Sequence, residues 1–193
     1  VLFLDFDLDG RLDISQANGH LEDDIAKVQA SQRYEQPPQL FWNAGAEFNT
    51  EFIKCRERET GDAFQKPMVG RGSSYADIDG DGDLDLLIAG CGQKPRLLRN
   101  DQMLNNHWLR VKLKGKASNR DGIGALVEIR TGDVTQYRRV SPTRSYLSQV
   151  ELPVTFGLGA SDSVDRITIH WPNGEEQIVM QPKVDQLLVI EQQ

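Results

Sequence analysis

A chain of 193 residues is long enough for one or two domains with an apolar core of their own. Its formal charge of −7 is unevenly placed: residues 1–105 carry 11 Lys+Arg against 19 Asp+Glu, and residues 106–193 carry 11 against 10. Such a balance offers no nucleic-acid surface, and no apolar run approaches the ~20 residues that a membrane-spanning helix needs.

The chain opens on an apolar strand, Val1-Leu2-Phe3-Leu4, that runs into Asp5-Phe6-Asp7-Leu8-Asp9-Gly10-Arg11-Leu12-Asp13. Residues 18–38 follow. Leu21, Ile25 and Val28 recur there at helical spacing behind Glu22, Asp23 and Asp24, which predicts a short surface helix ending before Pro37-Pro38, with an irregular loop as the alternative. Gln39-Leu40-Phe41-Trp42-Asn43 reads as a strand. A second acidic loop runs Asp77-Ile78-Asp79-Gly80-Asp81-Gly82-Asp83-Leu84-Asp85 and leads into Leu86-Leu87-Ile88-Ala89; Arg96-Leu97-Leu98-Arg99-Asn100 answers the earlier strand. The acidic loops lie 72 residues apart and the two Asn positions 57 apart, so the first copy of this repeat carries 15 extra residues, assigned to 18–38.

Both loops fit D-x-D-x-D-G-x-x-D, a spacing that turns hard oxygen ligands onto one cation. Carboxylates at positions 1, 3 and 5 curl inward. Position 6 turns sharply and is Gly10 or Gly82, because glycine reaches positive φ without a Cβ clash. Position 7, Arg11 or Asp83, offers a backbone carbonyl; Leu12 or Leu84 points back to the core; Asp13 or Asp85 closes the shell. The expected ligands are therefore Asp5, Asp7, Asp9, Arg11 and Asp13, and Asp77, Asp79, Asp81, Asp83 and Asp85, with one Ca2+ in each loop. Carboxylates so close repel one another and gain from a divalent ion. Magnesium demands a tighter octahedron, and zinc would want His or Cys. A solvated acidic turn is the plain alternative, and two copies with the same Gly and closing Asp argue against it. An EF-hand fails, because its twelfth position should be a bidentate Glu and is Gln16 or Ile88 here.

From Asn106 the pattern becomes one of short alternating strands: His107–Leu113, Leu126–Arg130, Thr135–Val140, Gln149–Thr155, Arg166–Trp171, Ile178-Val179 and Leu187–Ile190. Thr131-Gly132-Asp133 and Pro172-Asn173-Gly174 mark turns. The fold expected is all-β: propeller-type blades over residues 1–105, then a small antiparallel sandwich or barrel over 106–193. Cys55 and Cys91 allow one disulfide or two free thiols.

The acidic loops with their Leu-Phe-Trp-Asn and Leu-Leu-Arg-Asn followers, and the stretch Gly70-Arg71-Gly72-Ser73-Ser74-Tyr75-Ala76-Asp77, resemble FG-GAP (VCBS-type) repeats. Asn106-His107-Trp108-Leu109, Ser118–Ala125, Ser145–Gln149, Phe156-Gly157-Leu158-Gly159 and Trp171-Pro172-Asn173-Gly174 resemble the ASPIC/UnbV domain. The combination is similar to the cartilage acidic protein family and its bacterial relatives. The resemblance implies calcium-binding propeller blades, as in integrin α-subunit heads, with metal ligands at the aspartates just named and backbone oxygens from Arg11 and Asp83. It implies a secreted, periplasmic or cell-surface location. Two repeats do not close a propeller, so a longer parent is expected, and a bare sheet edge in such a fragment would be open to self-association.

For catalysis the sequence offers little. His107 and His170 sit beside Trp108 and Trp171 in strands, His20 follows the first loop, and neither G-x-S-x-G nor H-E-x-x-H occurs. The expected function is a non-enzymatic, calcium-stabilised module for a protein or glycan partner. The alternative is the scaffold end of a secreted enzyme whose catalytic domain lies elsewhere.

Overall fold

The computed structural model describes residues 1–46 and 48–193. The first sheet is a meander of four strands, β1 (Leu2–Leu4), β2 (Asp13–Gln16), β3 (Gln39–Asn43) and β4 (Phe52–Lys54), each antiparallel to the next. A second meander of three strands follows, β5 (Gly70–Ala76), β6 (Asp85–Gly90) and β7 (Arg96–Leu98). In both, an acidic loop joins the first strand to the second, and an Asn stands at the end of the third (Asn43) or two residues beyond it (Asn100). The strand β1 shows why so short a segment holds: Leu2 and Leu4 are buried and Phe3 between them faces out, the two-residue period of a half-buried strand.

The long connection between β2 and β3 carries the expected insertion. Its helix, α1 (Ile25–Val28), is a single turn with no buried residue. Leu21 lies outside it, and Leu21 and Val28 are 81% and 86% exposed, so the apolar spacing there marks no packed face. A helix this short has no face on which tertiary packing could extend it. Between the meanders, α2 (Glu57–Thr60) and a 3₁₀ turn (Asp62–Phe64) push Phe64 into a core shared with Leu2, Leu4, Leu40, Leu84 and Leu86. Cys55 and Cys91 are free thiols, and burial pushes Cys55 up to about 11.

The rest of the chain forms β8 (His107–Lys114), β9 (Leu126–Thr131), β10 (Val134–Arg139), β11 (Val154–Gly159), β12 (Arg166–His170), β13 (Glu176–Met180) and β14 (Gln186–Glu191). They make two sheets, β10-β9-β12-β13 and β11-β8-β14, with Val111, Val127, Phe156, Ile167, Ile169 and Trp171 among the residues of their common core. The predicted turns are there: Gly132 and Gly174 both adopt positive φ in the β9–β10 and β12–β13 connections.

The all-β expectation holds, and among the described residues no sheet closes on itself. Two details differ from the sequence reading. The strand expected over Gln149–Thr155 begins only at Val154 and runs to Gly159. Pro153, which lacks an N–H to donate, immediately precedes it, and Gly157, which reads as a breaker in sequence, is an interior strand residue. The sheet is also not purely antiparallel. β14 pairs with β8 in parallel, from Gln186 opposite Leu109 to Glu191 opposite Lys114, and brings Ile190 into the core.

Candidate metal centre

The nine-residue loops use the same local hydrogen bonds. In the first, the Gly10 N–H donates to Asp5 Oδ2 (3.0 Å) and the Phe6 N–H to Asp13 Oδ2 (3.1 Å). In the second, the Gly82 N–H donates to Asp77 Oδ2 (3.2 Å) and the Ile78 N–H to Asp85 Oδ2 (2.9 Å). The closing aspartate has a further task. Asp13 Oδ1 accepts the Asn43 N–H (2.7 Å), and Asp85 Oδ1 accepts that of Asn100 (2.8 Å). Each loop is thus fastened to its own meander, at the last residue of the third strand in the first and two residues past it in the second. Position 4 is left-handed as well as position 6: Leu8 has φ 59° and Gly80 φ 83°, beside Gly10 at 95° and Gly82 at 100°.

Asp5, Asp7 and Asp13 come together, all three buried, each with a carboxylate oxygen within 4.8 Å of the others'. Asp5 Oδ1 is buried and, among the described residues, accepts no hydrogen bond. Burial, reinforced by the neighbouring aspartates, pushes Asp5 up to about 7 and Asp13 up to about 8, and raises Asp7 as well. Three buried carboxylates crowded together, with one oxygen of Asp5 left without a partner, suit a hard cation, so the residues present fit calcium. Asp9 is turned to the side, where it pairs with the Arg11 guanidinium. Arg11 Nε donates to the Asn43 carbonyl (2.8 Å), and its guanidinium lies over Trp42.

The second loop is more open. Asp77, Asp79 and Asp85 form the corresponding group, and Asp79 also meets Asp81 and Asp101 in an exposed cluster. Asp83 is buried and accepts from Gln102 Nε2 (2.8 Å); burial pushes it up to about 6. Its carboxylate is held by Gln102 and is not one of the group formed by Asp77, Asp79 and Asp85.

Both loops lie against the strands of residues 107–191. On the first, the Gly157 N–H donates to Asp5 Oδ2 (3.2 Å), the Gly159 N–H to the Leu8 carbonyl (2.9 Å) and Asn106 Nδ2 to the Asp7 carbonyl (2.7 Å). Arg138 stands 4.0 Å from Asp5 Oδ2. On the second, the Trp108 indole covers Gly82, and the Arg110 guanidinium bridges Asp77 and Glu151. None of these partners was singled out from sequence as part of the site. They stand 33 to 152 residues from the aspartates that they meet, and no local spacing announces them. The imidazoles of His20, His107 and His170 meet groups outside the acidic loops: His107 Nδ1 is 2.7 Å from Asp185 Oδ2, His170 Nδ1 is 3.4 Å from Glu176, and His20 Nδ1 accepts the Glu22 N–H.

Residues 115–193 match the family described as ASPIC and UnbV. Over 123 residues, 62% of this chain, the sequence is 32% identical to cartilage acidic protein 1 of Homo sapiens, of which that stretch is 18%. The protein of the same name from Xenopus tropicalis is 32% identical over 124 residues, and that from Mus musculus 32% identical over 123 residues. The chain thus spans about a fifth of the length of these curated relatives.

Proposed function

We propose that each acidic loop holds a calcium ion and that the chain is a calcium-stabilised, non-enzymatic binding module of a protein working outside the cytoplasm. The observation that carries this reading is the buried trio Asp5, Asp7 and Asp13 with Asp5 Oδ1 left without a partner. Three buried carboxylates at one point are stable as a group only with a cation among them or with protons on some of them. The two meanders, each with its acidic loop between first and second strands, support an assignment to FG-GAP/VCBS-type propeller blades. The partner is a protein or a glycan, met by loops that calcium keeps in shape. The likeness to proteins named for cartilage supports an extracellular setting.

The test is thermal unfolding with calcium and with EGTA, together with calorimetric titration. A site occupied at a hundredfold excess over its Kd stabilises the fold by about 2.7 kcal/mol. Calcium should therefore raise the midpoint by several degrees, and Asp7→Ala should lose one of two binding events. An unchanged midpoint, or two intact binding events in Asp7→Ala, would overturn the reading.

A further inference from the structure

Resting on that reading, we infer that the two loops are unequal sites, and that Arg110 is a tethered competitor that makes the second the weaker and exchangeable one. The difference lies in what β8 and β10 place beside the first aspartate of each loop. At Asp5 the nearest guanidinium, Arg138, stands off at 4.0 Å and spends its donors elsewhere, on the Gly10 carbonyl and Gln136 Oε1 at 3.3 Å each, with its plane over Phe156. Asp5 Oδ1 keeps its lone pairs free. At Asp77 the Arg110 guanidinium is in direct contact with Oδ2, and its other terminal nitrogen holds Glu151. Asp77 Oδ1 accepts the Gly80 N–H at 2.7 Å. Both oxygens of the second loop's first ligand are therefore engaged, one of them by a full positive charge.

The environment sharpens the contrast. The Asp77 side chain is fully covered and that of Arg110 is 6% exposed, so their pairing is poorly screened by salt. An arriving divalent ion must displace the guanidinium from Oδ2 or sit beside it against charge repulsion. Asp79 and Asp81 remain exposed, so the ion can reach the second loop from solvent without moving the strands. Arg110 also reaches across the contact between the second meander and β8, and occupancy of the second loop is thereby coupled to that contact. Trp108, stacked on Gly82, supplies a fluorescent reporter at the second site, and Trp42, beneath the Arg11 guanidinium, one near the first.

The experiment is calcium titration of the full chain, followed by calorimetry and tryptophan fluorescence. The expected isotherm has two steps whose affinities differ by about tenfold or more, as a neighbouring like charge implies. Trp108→Phe should remove the fluorescence change of the weaker step and keep that of the tighter one. Arg110→Met should tighten the weaker step at least fivefold and leave the other unchanged. Because Arg110→Met strands Asp77 and Glu151, Arg110→Met/Glu151→Met is the second variant, with the same expectation and circular dichroism to verify the fold. Two wild-type steps of equal affinity, or a folded Arg110 variant whose weaker step is unchanged or weaker still, would overturn the inference. If neither variant folds, the wild-type affinity gap and the Trp108→Phe assignment decide it. Absence of any calcium binding would instead bring down the calcium reading on which this inference stands.

Discussion

Asp5 and Asp13 show how burial turns crowded carboxylates into a pH-sensitive element. Their carboxyls stand at about 7 and about 8, far above the ordinary carboxylate range, because burial disfavours the charged form. A folded pKa raised above the unfolded one means that the folded state holds protons which the unfolded state has released. Stability without metal therefore falls as pH rises from about 4 towards 8. Under the proposed function calcium would take the place of those protons, so the loss should vanish in the loaded protein. Melting in EGTA at pH 5 and pH 8 should show a drop on the order of 10 °C or more that excess calcium abolishes; an EGTA midpoint that rises with pH would contradict it. The loop glycines give a second check. At Gly80 an added Cβ meets nothing within 4 Å, so Gly80→Ala should cost only the left-handed backbone penalty, about 1–2 kcal/mol. At Gly82 it would lie 2.1 Å from Trp108, and Gly82→Ala should cost more than about 3 kcal/mol. Equal denaturant midpoints for the two variants would show that the indole does not rest on the loop.

The meanders and the C-terminal sheets were legible from sequence to different degrees. Val1–Leu4 and Gln39–Asn43 are short apolar runs, His107–Leu113 alternates apolar and polar residues, and each forms the strand expected to within one residue at an end. The stretch with Leu21, Ile25 and Val28 has helical spacing but no surface to bury it against, so only one turn forms. Strand β11 runs over Val154–Gly159, not the expected Gln149–Thr155, and the missing side chain of Gly157 is what lets Leu8 and Asp5 approach. The C-terminal strand holds another contact that no motif announces. Gln192 is buried, and its Oε1 accepts the N–H groups of Lys116, Ala117 and Ser118 at 2.9–3.1 Å, while its Nε2 donates to Glu175. Truncation leaves three amides of one loop unsatisfied. Gln192→Ala should cost about 2–3 kcal/mol in urea unfolding and speed amide exchange at 116–118. Exchange unchanged there would show that the side chain does not organise that loop.

Across the molecule, the sheets of residues 107–191 rest on both acidic loops, so the sites and their cover are one assembly. Gly157→Ala probes this directly, since its Cβ would lie 2.3 Å from the Leu8 backbone and 2.4 Å from Asp5 Oδ2. The variant should lose several degrees of melting temperature and weaken the tighter calcium step at least tenfold. A calcium isotherm identical to that of the wild type would show that the first loop binds without its cover. Nine-residue spacing sufficed to mark both loops, their glycines and the strands around them, because ligand direction and turn geometry are written within a few bonds. Which aspartates are buried, which of them meets Arg110 and which keeps an oxygen free was settled by contacts between residues up to 152 positions apart. Desolvation and charge pairing depend on everything that packs around a group, and no local pattern carries that.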